Sequence, residues 1–138
     1  MKQEQLEDLL CYRMEQAHET LREAEILRNE SALRGVVNRA YYAMFYALLA
    51  LLATKQLGTS RHSGALALFD REFVKTGVFP RELSRSLHLA FDRRQRHDYG
   101  EMANVDRQVV EETLTDAKTF VTAIETYLRS AGHLAVTQ

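Results

Sequence analysis

The chain has 138 residues, a single cysteine and a formal net charge of −1. This length fits one domain over residues 1–138, large enough to fold without a metal or disulfide staple. A net charge so close to zero excludes a general electrostatic attraction to nucleic acid, so any such contact needs a local basic patch.

Cysteine content and the first residues both favour a cytoplasmic location. Cys11 has no second cysteine with which to form an internal disulfide, as is common in a reducing compartment. Residues 1–5 are polar and lack the apolar core of a secretory signal peptide. We therefore expect a cytoplasmic protein.

Residues near 3 to 29 are predicted to form a long amphipathic helix. Apolar side chains recur there at spacings of three and four residues, and charged side chains occupy the other faces. The pattern breaks at residues 29–31, where Ser31 is the candidate N-cap of the next helix.

The segment 38–53 organises the rest of the chain. Residues 40–53 include no charged side chain, and apolar or aromatic groups point to every side of a 3.6-residue helix. Such a helix must be buried, and the run is shorter than the roughly 18 apolar residues of a membrane-spanning helix. We expect the central helix of a bundle, with Phe45 and Leu48 in the core.

Three more helices are predicted after the central one. A short helix begins near residues 60–63 and ends at Gly77, in the position of a left-handed C-terminal cap. Pro80 opens a fourth helix that runs towards Tyr99, and a last long helix ends at Gly132. Because no alternating apolar run predicts a strand, the predicted fold is an all-α, up-and-down bundle of about five helices.

A dense cationic cluster ends the fourth helix. On a helix, Arg93 and His97 are i,i+4 neighbours, while Arg94 and His97 are i,i+3 neighbours. Histidine can move the 2′-hydroxyl proton of RNA or protonate the leaving oxygen, and arginine can stabilise charge on the phosphate. These three residues are candidate catalytic groups for metal-independent RNA cleavage. The alternative is that the cations only complement the helix dipole and its unpaired carbonyls.

Five further residues are candidates for binding a ligand together with Arg94. Asp98 lies one turn after that arginine, and Tyr99 adds an aromatic hydroxyl before the glycine that ends the helix. The other three, at the starts of the second and third helices, are Asn38, Arg39 and His62. For these three the alternative is a structural role in capping and orienting helices.

The remaining histidines give no sign of a metal site. No Cys/His pair has zinc-ligand spacing, and no Gly-rich phosphate loop occurs, so neither a metal nor a cofactor is predicted. His88 adjoins the apolar stripe of the fourth helix, where we expect it to pack.

These motifs together resemble the small HEPN-domain proteins of bacteria and archaea, the subset often encoded beside a minimal nucleotidyltransferase. The resemblance covers most of the chain after the first helix. The stretches that carry it are residues 38–45, 62–64, 73–80, 90–95 and 98–100. The family implies a four- or five-helix bundle that forms a homodimer, with the polar motif of each chain facing a shared cleft.

The catalytic members of that family are RNases in which four to six residues separate an arginine from a histidine, often with a tyrosine two residues later. His97 and Tyr99 reproduce the second half of this motif, whereas residues 90–92 contain no arginine. The subset that this chain resembles has Arg-Gln-x-x-Asp-Tyr, which residues 94–99 reproduce. The resemblance thus implies the fold and leaves nuclease activity open.

Two functional hypotheses remain. The first is a HEPN-type protein of a toxin–antitoxin-like pair with a nucleotidyltransferase, which binds RNA or a nucleotide in a dimer cleft. The second is a non-catalytic helical interaction or regulatory module, whose Arg94–Asp98 pair only fixes the cleft. An all-round apolar helix in so short a chain also predicts a symmetric homodimer, and no membrane partner is expected.

Overall fold

The computed structural model describes residues 2–99 and 106–135, without the side chains of residues 97–99. In these ranges the chain folds into helices joined by short turns. Its elements are, in order, α1 (Gln3–Asn29), α2 (Leu33–Ala53), α3 (His62–Phe69), a π-helical turn (Asp70–Val74), α4 (Arg81–Tyr99) and α5 (Arg107–Ser130). The described ranges contain no strand. The predicted all-α bundle of five helices is confirmed.

Helix α2 lies at the centre of the bundle because it contacts α1, α3, α4 and α5. Phe45 and Leu48 are both buried, as predicted. By length and composition, α2 could also cross a membrane, but 67% of its apolar 18-residue stretch is buried inside the bundle. That burial is typical of a core helix.

The predicted capping role of Ser31 is wrong. Ser31 has a positive φ of 59° and ends α1, because its N–H donates to the Arg28 carbonyl and the N–H of Ala32 donates to the Leu27 carbonyl. Ala32 is the residue that directly precedes α2. The Ser31 hydroxyl makes no capping hydrogen bond to α2; it accepts a hydrogen bond from Arg107 of α5 instead.

The helical winding of the chain changes directly after α3. The Lys75 N–H donates to the Asp70 carbonyl five residues earlier, the hydrogen bond of a π-helix. Phe69 and Phe73 are both fully buried on either side of this change. Gly77 then adopts a φ of 84°, so the predicted left-handed end of this segment is confirmed.

One face of α4 packs into the core. Leu83, Leu87 and Ala90 recur at spacings of four and three, and all three are buried. The next residue on the same face, four positions later, is Arg94. The apolar stripe of α4 therefore continues into a cation.

Candidate functional site

Arg94 projects from this core-facing stripe towards α2. Its Nη2 donates to the hydroxyl of Tyr42 at 3.0 Å. Its Cζ lies 5.2 Å from the ring centroid of Tyr42 and 5.8 Å from that of Tyr41. Arg94 is half-buried. Its guanidinium lies against two tyrosine rings, where cation–π attraction adds to the hydrogen bond.

A second arginine lies against the same tyrosine. The Cζ of Arg39 is 5.3 Å from the ring centroid of Tyr42. Arg39 donates through Nε and Nη2 to the Asn38 side-chain oxygen at 3.0 and 2.8 Å, and through Nη1 to Glu23 of α1 at 3.3 Å. The structure therefore brings Asn38 and Arg39 beside Arg94, and it also connects them to α1. Together with Tyr41 and Tyr42, these three residues form the cluster around Arg94.

His62 reaches the cluster from the first residue of α3. Its Nδ1 lies 2.8 Å from the Tyr41 hydroxyl. Its ring stacks on Phe45 with centroids 4.1 Å apart and planes 13° apart. Burial lowers the pKa of His62, and the positive charge of Arg94 lowers it further, so the imidazole is kept neutral near pH 7.

The hydroxyl of Tyr41 is held in its protonated form. Tyr41 is fully buried. Burial raises its pKa well above the ordinary value; nearby Arg94 opposes this shift and Tyr42 adds to it. The phenol therefore keeps its proton and serves as a hydrogen-bonding group, not as an anion.

Arg93 faces away from this cluster, towards α5. Its Nη1 donates to the Thr113 hydroxyl at 2.9 Å and its Nη2 to Glu112 at 3.0 Å, with only 15% of the side chain exposed. Burial raises the pKa of nearby Asp116, and Glu112 raises it further, while Arg93 counteracts both. The two neighbouring arginines, which the sequence placed together, thus bind different helices.

The sequence also matches the model of a known family. A model described as the HEPN domain matches residues 11–127. The chain belongs to the HEPN family. The match extends from the first half of α1 to the last turn of α5, so it includes every residue of the cluster around Arg94.

Relatives in the HEPN family cover most of the chain. A Thermotoga maritima protein named "UPF0332 protein" is 41% identical over 119 residues, 86% of this chain and 90% of its own length. A Methanocaldococcus jannaschii protein named "Putative toxin MJ0142" is 34% identical over 121 residues, 88% of this chain and 82% of its own length. Another from that organism, "Putative toxin MJ0605", is 33% identical over 119 residues, 84% of this chain and 86% of its own length.

Three residues of the predicted HEPN motif lie outside the described side chains. They are His97, Asp98 and Tyr99, at the end of α4. Their catalytic and ligand-binding roles therefore stay predictions from the sequence. Among the residues that are described, the structure brings Asn38, Arg39, His62 and Arg94 together and separates Arg93 from them.

Sequence reasoning did not select the aromatic residues that build this site. Tyr41, Tyr42 and Phe45 read as part of an all-round apolar helix. The available signal was the pair of tyrosine hydroxyls in that helix, because a buried tyrosine usually finds a hydrogen-bond partner. A second signal was the spacing that places Arg94 on the buried stripe of α4, where a cation needs polar or aromatic neighbours.

The prediction that His88 packs beside the apolar stripe of α4 is wrong. Its Nε2 lies 2.8 Å from a carboxylate oxygen of Asp70, and 45% of its side chain is exposed. The same carboxylate accepts a hydrogen bond from Ser84, one turn before His88 on α4. His88 lies at the edge of the stripe, where the π-helical turn supplies a polar partner.

The cluster around Arg94 offers hydrogen-bond donors, which its aromatic rings hold in place. Within residues 2–96 and 106–135, no group of three or more His, Cys, Asp or Glu side chains could hold a metal ion. Guanidinium groups bind phosphate oxygens in a planar, forked geometry. This set of groups suits an anionic ligand such as a phosphate.

Proposed function

We propose that this HEPN protein acts as a toxin that binds RNA or a nucleotide through the cluster around Arg94. In the proposal the protein is cytoplasmic, two copies of the chain form the binding cleft, and a nucleotidyltransferase-type partner acts as the antitoxin. The names of the two Methanocaldococcus jannaschii relatives support the toxin role.

The observation that carries the proposal is the position of Arg94. A guanidinium on the core-facing stripe of α4, within 6 Å of two tyrosine rings, is half desolvated and fixed in direction. In such surroundings a charge-assisted hydrogen bond to phosphate is stronger than it would be in open water.

The distribution of charge along the chain supports an anionic ligand. Residues 33–99, which include α2, α3 and α4, contain eleven Arg or Lys and five Asp or Glu. The rest of the chain contains seven and fourteen, respectively. The local basic excess that nucleic-acid binding requires therefore coincides with the helices that form the cluster.

A seam along α2 supports the homodimer. Tyr42, Tyr46, Leu49 and Ala53 follow one another at spacings of four, three and four, and each stays partly exposed, whereas the other residues of α2 from 40 to 52 are buried. We expect this seam to pack against the same seam of a second chain about a two-fold axis. Light scattering should give twice the 15.9 kDa of one chain; a monomer at micromolar concentration would contradict the dimer and the shared cleft.

The test of ligand binding compares two arginines. The probes are a short labelled RNA and labelled AMP, titrated in EDTA at several salt concentrations. Arg94→Gln should weaken binding by about tenfold or more and lower the salt slope by about one, because one phosphate contact is lost. Arg22→Gln, on the exposed surface of α1, is the matched control and should bind as the parent does.

The same titrations distinguish the alternative of a helical interaction module. If the parent binds neither probe and Arg94→Gln only lowers the melting temperature, the arginine is structural and the proposal is wrong. Cleavage is assayed separately, by incubating the labelled RNA with the parent and with His97→Ala in EDTA. Loss of products in the variant would assign the histidine a catalytic role.

A further inference from the structure

The contact between Tyr41 and His62 determines which imidazole nitrogen carries the proton. Tyr41 is 0% exposed, so water cannot satisfy its hydroxyl. Within the described part of the chain, that hydroxyl has a single hydrogen-bond partner, Nδ1 of His62 at 2.8 Å. A buried O–H without an acceptor is costly, so Tyr41 donates and Nδ1 accepts. A neutral imidazole that accepts at Nδ1 carries its hydrogen on Nε2.

The ring of His62 is also fixed in orientation. One face stacks on Phe45, a core residue, at a centroid distance of 4.1 Å. The Nδ1 edge meets the buried Tyr41. Since the side chain as a whole is only half-buried, Nε2 is the ring nitrogen left for a ligand. The edge-on contact with Tyr42, at 5.7 Å, keeps the ring in the same aromatic corner as Arg94.

We infer that His62 is a second ligand-binding donor of the site, which holds a phosphate oxygen through its Nε2–H together with the guanidinium of Arg94. Tyr41 is the positioning residue, because its hydroxyl decides which nitrogen bears the hydrogen. The inference rests on the proposed function and extends it, since it assigns a residue distant from the motif of α4 to phosphate recognition.

The same geometry excludes His62 as a general base in the free protein. A base needs a lone pair on Nε2, which requires the hydrogen to be on Nδ1. Nδ1–H would then face the hydroxyl of Tyr41 as a second donor, and that hydroxyl would lose its acceptor. His62 therefore binds and orients the phosphate, and any proton transfer belongs to another group.

Two substitutions separate the nitrogens of His62. In His62→Asn the amide oxygen takes roughly the place of Nδ1 and can still accept from Tyr41, but the Nε2 donor is lost. In His62→Gln the amide nitrogen takes roughly the place of Nε2 and can still donate, but Tyr41 loses its acceptor. If His62 were merely structural, His62→Gln would be less stable than the parent and His62→Asn would bind the ligand as tightly as the parent.

The binding test uses the full-length protein with labelled RNA and labelled AMP. We expect His62→Asn to melt slightly below the parent, because it loses the stacking on Phe45, and to bind about tenfold more weakly. We expect His62→Gln to melt earlier and to retain affinity within about threefold. His133→Asn, beyond the end of α5, is the matched control. Weaker binding of AMP as well as RNA would place the lost contact on a single phosphate, whereas weaker binding of RNA alone would place it on the polymer.

The tautomer is measured without any ligand. Side-chain ¹⁵N chemical shifts of the parent should report a neutral His62 with its hydrogen on Nε2, and Tyr41→Phe should shift the population towards the other tautomer. A parent with the hydrogen on Nδ1 would overturn the inference.

The failures of the inference and of the proposed function are distinguishable. If the parent binds and Arg94→Gln weakens binding, but His62→Asn binds as tightly as the parent, only the role of His62 is overturned. If the parent binds neither probe, the proposed function fails and the ligand-binding role of His62 fails with it.

Discussion

The two ends of α3 each bring a histidine into a hydrogen bond, but in opposite surroundings. At the start of the helix, His62 lies among tyrosine and phenylalanine rings and accepts from a buried phenol. After the end of the helix, Asp70 binds His88 of α4 in a pair whose two side chains are 32% and 45% exposed. Eight residues of helix thus separate an aromatic, cationic corner from a solvated histidine–carboxylate pair.

This difference shows that surroundings, more than residue type, decide what a histidine can do. A polar pair as exposed as this one competes with water and contributes about 0–1 kcal/mol to stability. The imidazole of His62 has a buried hydroxyl and a stacked phenylalanine as its partners, and water cannot take the place of either. We therefore expect substitutions at the His62 end to have larger effects than substitutions at the Asp70 end.

The largest effect should come from the ring beneath His62. Phe45→Ala removes a buried side chain and leaves a cavity, so the free energy of unfolding should fall by about 3–5 kcal/mol. Urea denaturation measures the loss. Val78→Ala, at a residue that is 40% exposed, is the control and should change stability by less than about 0.5 kcal/mol. An unchanged midpoint for Phe45→Ala would contradict the assignment of α2 as the central helix.

The next effect should come from the buried hydroxyl. Tyr41→Phe keeps the ring and leaves Nδ1 of His62 without its donor, so stability should fall by about 1–2 kcal/mol. Tyr12→Phe, at a tyrosine that is 58% exposed, removes a solvated hydroxyl and should be neutral. If both variants unfolded at the same urea concentration, the Tyr41–His62 hydrogen bond would not distinguish this end of α3.

A smaller effect is expected at the other end of the helix. Asp70→Asn removes the charge opposite His88 and keeps the shape of the side chain, so stability should fall by about 0.2–1 kcal/mol. A loss larger than that of Tyr41→Phe would reverse the ranking of the two ends.

The smallest effect is a dependence of stability on pH. Because the pKa of His62 is lowered in the folded state from its ordinary 6.5, the unfolded chain binds a proton first as the pH falls. The favourable contribution is therefore complete above pH 6.5 and is lost as the pH drops through the range between the two pKa values. Urea denaturation at pH 7.5 and 5.5 should show a smaller acid loss in His62→Asn than in the parent. An equal loss in both would show that another group carries it.

Much of the fold could be predicted because it depends on local patterns. The apolar spacing of α1, α4 and α5, and the all-round apolar character of α2, are properties of short windows of sequence. The left-handed end at Gly77 was predictable because glycine adopts a positive φ at little cost. Ser31 was misjudged because a serine at a helix boundary suits either side of it, and only the backbone path between α1 and α2 decides which.

The amino-acid pattern alone established a bundle of helices around α2, and it gave Arg94 the helical spacing of the buried residues of α4. It did so because helical periodicity assigns each side chain to a face whatever the rest of the chain does. What each polar group contacts depends on the tertiary structure. Helix α5 arrives beside Arg93, α2 beside Arg94, and the start of α3 brings His62 to Tyr41 from 21 residues away. Such contacts depend on how distant helices pack against one another, which no local window of sequence contains.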